Sequence, residues 1–180
     1  MEIIAITESL TLESITSNDY EKLYRLMYDI YPKTYAHFWT DNGDWYVNML
    51  YNPTNIQQEL MEENAAFYFV NFEHDVVGIL RIQYHETYPK YPDRKATKLH
   101  RIYLDPKTHR KGIGKALINW TKEQAKLVGD EILWLEGMDT QSPAISFYEK
   151  MGFQIGSHVI LPHVRILVER RGMHQMWLSL

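Results

Sequence analysis

Cysteine is absent from the chain. That removes disulfides, thiolate nucleophiles and cysteine metal ligands, and it fits a reducing compartment. Also missing is any apolar run long enough to span a bilayer. The opening "MEIIAI" is too short for a secretory leader and carries an acid where such a leader needs bases. Together these absences predict a soluble, cytoplasmic protein. There is no basic excess either: 19 Lys and Arg stand against 23 Asp and Glu, a net charge of −4, so no nucleic-acid partner is expected. The histidines are scattered without a spacing such as H-E-x-x-H, which predicts no metal site. No repeat, low-complexity tract or linker divides the chain, and residues 1–180 read as a single domain.

What is present is aromatic. Thirteen tyrosines and five tryptophans exceed what a core ordinarily needs, so some are candidates to line a pocket. The alternation in "EIIAIT" predicts a first strand. In "TSNDYEKLYRLMYDIY", Leu23, Leu26, Met27 and Ile30 recur at helical spacing behind candidate caps Ser17 or Asn18. Pro32 is expected to end that helix. The segment from Lys33 to Glu63 is irregular at first, then helical in pieces, with "DWYVNML" and "NPTNIQQELMEE" as candidates and Pro53 in a first turn.

From Ala65 the period changes to two. "AAFYFVNF" and "VVGILRIQY" read as an antiparallel pair joined around Glu73 to Asp75. Beyond the polar loop "HETYPKYPDRKATK" comes a strand, "LHRIYLDP". An amphipathic helix follows, "GIGKALINWTKEQAKLVG", with Ile113, Leu117, Trp120 and Val128 turned inward. "EILWLEGM" is a strand, "SPAISFYEKMG" a helix capped by Ser142 with Pro143 in its first turn, and "FQIGSHVIL" and "MHQMWLSL" are closing strands. This order predicts an α/β (α+β) fold, a mixed sheet flanked by helices.

The stretch "HRKGIGKAL", residues 109 to 117, sets two glycines and three basic side chains at the start of a helix. Gly112 and Gly114 allow a ligand close to the main chain, and the unpaired N–H groups of a helix start favour an anion. A nucleotide-hydrolase loop needs a hydroxyl after Gly114-Lys115, where Ala116 stands, and a glycine where His109 stands. A dinucleotide loop needs a third glycine, where Leu117 stands. A basic turn that merely caps a helix remains the alternative for this segment taken by itself.

"RIYLDPKTHRKGIGKAL" resembles motif A of the GNAT superfamily of N-acetyltransferases, and "LWLEGMDTQSPAISFYEKMGF", about thirty residues on, resembles its motif B. The pair in that order is more specific than either alone, and the likeness runs from about Glu2 to Leu180. It implies the GNAT acyl-CoA N-acyltransferase fold, acetyl-CoA as co-substrate without a metal, and a primary amine as acceptor. A small-molecule amine is expected first, polyamines among them, and a protein N-terminus or lysine second; no membrane partner is implied, and a homodimer is allowed. The resemblance implies that Ile102, Tyr103 and Leu104 pair with the pantetheine arm, and that His109, Arg110, Lys111, Gly112, Ile113, Gly114 and Lys115 cradle the pyrophosphate. Lys107, Arg110 or Lys111 is expected to meet the 3′-phosphate. Gln141 stands where an asparagine is common, and His109 where Gln or Arg is usual. Tyr148 takes the position of a tyrosine that points at the cofactor sulfur, which suits an acid for the leaving thiolate. Glu136, His100 or a water chain is left as the base, with Lys98 standing where an acid is often found.

For the acceptor, "YPKTYAHFWTDNGDWY" and "YHETYPKYPDR" combine aromatics with Asp41, Asp44, Glu86 and Asp93, a composition that suits a cationic amine or equally a packed subdomain. The alternative function is a non-catalytic module of this fold that binds acetyl-CoA or a partner protein; a nucleotide-binding regulator rests on the glycine loop alone.

Overall fold

The computed structural model describes residues 2–180, so of "MEIIAI" Met1 lies outside the described residues. The chain begins with a hairpin where one strand was expected: β1 (Ile3–Ala5) pairs antiparallel with β2 (Leu10–Ser14). In "LTLES" the buried Leu10 and Leu12 alternate with Thr11 and Glu13, a strand signal only five residues long.

Helix α1 (Tyr20–Tyr35) follows a capping turn in which Thr16 donates both its N–H (2.9 Å) and its hydroxyl (2.6 Å) to Asp19 Oδ2. Thr16 caps the short turn Ser17–Asp19 and Asp19 is the N-cap of α1, so neither Ser17 nor Asn18 caps the helix. Nor does Pro32 end α1; it lies inside the helix. Its missing N–H would have met the carbonyl of Tyr28, a residue exposed to water, and its own carbonyl still accepts from Ala36 N–H. The two predicted helices follow as α2 (Asp44–Leu50) and α3 (Pro53–Leu60), the latter capped by Asn52 Oδ1 accepting from Asn55 N–H at 3.0 Å.

Next come β3 (Ala65–Phe72), β4 (Asp75–Gln83) and β5 (Ala96–Leu104), then α4 (Ile113–Leu127) and β6 (Ile132–Met138). β5 starts three residues earlier than its apolar pattern suggests, because Ala96 and Thr97 are buried by parallel pairing of Ala96–Leu99 with Ile132–Leu135. Val128 is not inward: it lies past the end of α4 and is exposed. The chain closes with α5 (Ser142–Lys150), β7 (Gln154–Ile160) and β8 (Gly172–Ser179). Gln141, not Ser142, is the N-cap of α5. Among the described residues the elements are eight strands and five α-helices, a mixed α/β fold.

The chain forms two compact units. The first holds the residues up to Arg81 together with Arg101–Leu117, and the second holds Ile82–His100 with Ile118–Leu180. In the first, β1, β2, β3, β4 and the end of β5 neighbour one another in that order, around a core that includes Leu12, Leu23, Met27, Phe69 and Ile79. Two buried arginines there are paired: Arg101 makes a two-pronged contact with Glu59 (2.8 and 2.6 Å), and Arg81 reaches Glu62 at 2.7 Å. Such pairing is what a buried guanidinium requires, and it ties α3 to β4 and β5.

In the second unit the order is β5, β6, β8, β7. β6 pairs with β8 antiparallel along its whole length, from Ile132 opposite Ser179 to Met138 opposite Met173. β7 lies outside β8 with a register break between Ile155 and Ser157. The break falls at Gly156, where a Cβ would collide with the Tyr88 hydroxyl.

Candidate active site

The glycine turn belongs to the first unit and is built from Asp105 onward. Asp105 Oδ1 accepts from Lys107 N–H (3.0 Å), and its carbonyl accepts from Thr108 Oγ1 (2.7 Å), which closes a short turn behind Pro106. His109 N–H then donates to Pro106 C=O and Lys111 N–H to Thr108 C=O. Arg110 and Gly112 take left-handed backbone conformations, φ +64° and +81°. For arginine that costs about 1 kcal/mol, for glycine almost nothing. The first bond within α4 runs from Ala116 N–H to Gly112 C=O. The N–H groups of Gly112, Ile113, Gly114 and Lys115 therefore have no acceptor inside the helix. A Cβ on Gly112 would meet nothing within 4 Å, so the space before these donors is open. The side chains of His109, Arg110, Lys111 and Lys115 are exposed, and Ile113 is buried beneath them. Lys111 Nζ sits 5.1 Å from the Phe72 ring centroid, which ties one of the three cations to β3. Open space, converging N–H donors and nearby cations are the chemistry of a diphosphate cradle.

Of the three strand residues before the turn, Tyr103 differs from its neighbours. Asp105 N–H donates to Val77 C=O at 2.8 Å, and a Cβ on Gly78 would collide with the Tyr103 carbonyl oxygen. The main chain of Tyr103 thus faces β4. By alternation, the N–H and C=O groups of Ile102 and Leu104 face the other way. The Tyr103 side chain is also committed: its hydroxyl lies 2.8 Å from that of Tyr46, and its ring meets Tyr31 and Tyr35 edge-on. Burial raises its pKa well above the usual phenol value.

The second unit holds the remaining predicted residues, and strand alternation sorts them onto two faces. Lys98, Trp134 and Glu136 share one face: Lys98 Nζ lies 4.4 Å from the Trp134 ring centroid and 2.8 Å from Glu136 Oε2. Glu136 Oε1 accepts from Gln175 Nε2 at 3.0 Å, so both carboxylate oxygens are taken. His100, half-buried two residues beyond Lys98, belongs to the same face. Gly137 points to the opposite face, where a Cβ would touch Ile145 (3.4 Å) and Tyr148 (3.9 Å) of α5. The phenol of Tyr148 rests edge-on against Phe153 at 5.8 Å, and burial pushes its pKa up to about 12. Gln141 begins α5, its carbonyl accepting from Ala144 and Ile145 N–H.

Each unit thus gathers its own predicted residues. The glycine turn brings together Ile102 through Lys115; in the second unit His100 and Glu136 lie on one face of β5 and β6, whereas Tyr148, on the helix that Gln141 begins, lies on the other. Local pattern could not mark the Lys98–Glu136–Gln175 line, because its members lie on three separate strands. Many of the aromatics proposed for the acceptor prove to be packed. Tyr31 is stacked on both sides, by Tyr35 at 4.9 Å and Tyr46 at 4.6 Å, and Phe38, Trp39 and Tyr88 are buried. Asp41 is spent holding the N–H groups of Gly43 and Trp45. Among the described residues, no three His, Cys, Asp or Glu side chains are grouped to hold a metal ion, and no helix is long and apolar enough to cross a membrane.

The family model described as "Acetyltransferase (GNAT) family" matches residues 21–153. An uncharacterized N-acetyltransferase MJ1207 of Methanocaldococcus jannaschii is 25% identical over 158 residues, 86% of this chain and 65% of that protein. One from the pepI 3′ region of Lactobacillus delbrueckii subsp. lactis is 24% identical over 111 residues, 61% of this chain and 64% of that protein. The chain therefore spans slightly less than two thirds of each curated relative. Among solved structures, the PaiA N-acetyltransferase of Thermoplasma acidophilum in complex with coenzyme A superposes with a TM-score of 0.72 at 18% identity, covering 96% of this chain and 99% of that one. The spermidine N-acetyltransferase of Vibrio cholerae with coenzyme A and spermine gives 0.69 at 14% identity, with 96% of each chain covered. Those likenesses are of fold.

Proposed function

The chain belongs to the GNAT acetyltransferase family, and from that membership we propose that it transfers the acetyl group of acetyl-CoA to a primary amine by direct attack in a ternary complex. The observation that carries this reading is the turn from Thr108 to Lys115, with N–H donors converging on open space. Acetyl-CoA supplies the acyl group in activated form, as a thioester. The N–H groups of Gly112 to Lys115 hold the pyrophosphate, with Arg110 and Lys115 adding charge. Ile102 and Leu104 offer main-chain groups to the pantetheine arm as an added strand would. Tyr103 takes no part beyond packing.

Tyr148 takes the position that the family resemblance assigns to the sulfur. A phenol near pKa 12 lies about three units above an ordinary thiol, so outright proton transfer to the departing sulfur is uphill. Tyr148 therefore acts as a hydrogen-bond donor that gives up its proton only as it regains one from the reacting nitrogen. The amine's first proton leaves through water to a separate acceptor, since that acceptor lies on the opposite face of the strands from Tyr148. We assign that role to His100, with Glu136 holding Lys98 in place. The acceptor is a small-molecule amine.

Thiol release from acetyl-CoA across a panel of mono-, di- and polyamines tests the reading, with coenzyme A affinity measured in parallel. Turnover with at least one amine is expected. In His100→Gln the rate should fall about 10²-fold near neutral pH and recover as the amine deprotonates above pH 9. Binding without turnover on any amine would mark a non-catalytic module, and failure to bind coenzyme A would sink both readings.

A further inference from the structure

Helix α5 carries Tyr148, yet none of its residues is fully buried. The other α-helices are anchored by buried side chains, such as Leu23 and Met27 in α1, Val47 in α2, Ile56 in α3, and Leu117 and Ile118 in α4. Half-buried Ile145 and Tyr148 lie over Gly137 of β6, and hydrogen bonds at the two ends of α5 fix it further. At the C-terminal end, Phe153 N–H donates to Tyr148 C=O (3.0 Å) and Lys122 Nζ to Met151 C=O (2.7 Å).

The N-terminal end hangs on Asp139, three residues before Ser142. Its N–H donates to Gly172 C=O on β8 at 3.1 Å, and its Oδ2 accepts from His158 Nε2 on β7 at 2.9 Å. The carboxylate acceptor makes Nε2 the protonated ring nitrogen of His158. Position 172 must be glycine for this, since a Cβ there would collide with the Asp139 carboxylate and sit 2.8 Å from His158 Nε2. The ring of His174 closes the group at 5.2 Å from His158, edge-on. His158 and His174 are opposite one another, and His174 is opposite Gly137. All three positions share the sheet face on which α5 and Tyr148 lie. Asp139 Oδ1 and His174 Nδ1 are buried without partners. The clasp therefore holds through one side-chain hydrogen bond and one main-chain bond, not through a closed network.

We infer that Asp139, clasped by His158 and Gly172, is a positioning residue for Tyr148: it sets the N-terminal end of α5 and through it the phenol. The catalytic part of this inference rests on the proposed acetyl transfer; the structural part does not.

The test pairs kinetics with a readout independent of turnover. Asp139→Ala is expected to lower kcat about 30-fold, approaching the 10²-fold that roughly an ångström of misplacement costs, while coenzyme A affinity stays within about twofold. Asp139→Asn and His158→Gln, which keep a donor–acceptor pair, should each recover to within about threefold of the parent. In a Tyr148→Phe background Asp139→Ala should cost less than about twofold, because it acts through the phenol already removed. With 3-fluorotyrosine at position 148, the fluorine resonance should move in Asp139→Ala and return in Asp139→Asn. Equal losses in both backgrounds, an unchanged kcat, or an unmoved resonance would each overturn the inference. Should Asp139→Ala fail to fold, His158→Ala against His158→Gln makes the same comparison. If the parent binds coenzyme A but acetylates no amine, the proposed reaction falls, and the fluorine resonance alone still decides whether the clasp sets Tyr148.

Discussion

In the turn before α4 the groups proposed to bind are main-chain donors, and His109, Arg110, Lys111 and Lys115 around them are exposed. At the end of β6 the groups proposed to act are side chains, Glu136 among them held by residues from other strands. The first arrangement depends on backbone angles at Arg110 and Gly112. The second depends on Glu136 meeting Lys98 and Gln175, and on Asp139 meeting His158. A site made of backbone tolerates changes of side chain but not of conformation. A site made of side chains tolerates neither of its partners being removed.

The largest effect expected from breaking this contrast is at Gly112. Gly112→Asp puts a Cβ and a negative charge before the open donors and imposes an unfavourable φ, so coenzyme A should bind at least 10²-fold more weakly by calorimetry while circular dichroism stays unchanged. Tyr148→Phe comes next, with kcat down about 10²-fold and coenzyme A affinity held. His109→Ala sharpens the comparison from the other side. The imidazole is exposed and the residue's N–H already serves Pro106, so affinity should fall less than about threefold.

The smallest effect concerns alkaline stability. The pKa of Tyr148 is raised to about 12 in the fold, against about 10 in the unfolded chain. Between those values the unfolded chain loses a proton that the folded one keeps, so the stability present below pH 10 declines as pH rises towards 12. Tyr148→Phe should flatten part of that decline in urea titrations from pH 9 to 11. Tyr31, Tyr51 and Tyr103, whose pKa values burial also raises, should leave the remainder.

The glycine turn was legible because its information is local: strand, proline, glycines and helix follow one another within a dozen residues. So were Asn52 and Pro53 at the start of α3. Thr16 was passed over because its partner, Asp19, lies inside a short turn that the helical pattern does not mark. Pro32 misled because its effect depends on whether the freed carbonyl meets water, and that is a property of the fold. The aromatics left two readings open for the same reason, since the composition of "YPKTYAHFWTDNGDWY" does not say that Tyr31 has rings on both faces. The Asp139 clasp was invisible for a further reason. Its members are separated by nineteen and then fourteen positions, and only antiparallel register brings His158, His174 and Gly172 to one place.

Gly78 carries no side chain, yet any replacement drives a carbon into the carbonyl of Tyr103. That collision would push Leu104 and Asp105 off their present path, and with them the start of the turn that His109 and Gly112 complete. In a mutational library this residue would score as if it were part of the pocket. Its neighbour Val77 would score as ordinary core. Such a scan would therefore map the inheritance of a backbone path, and one of its constraints would fall on an atom that is not there.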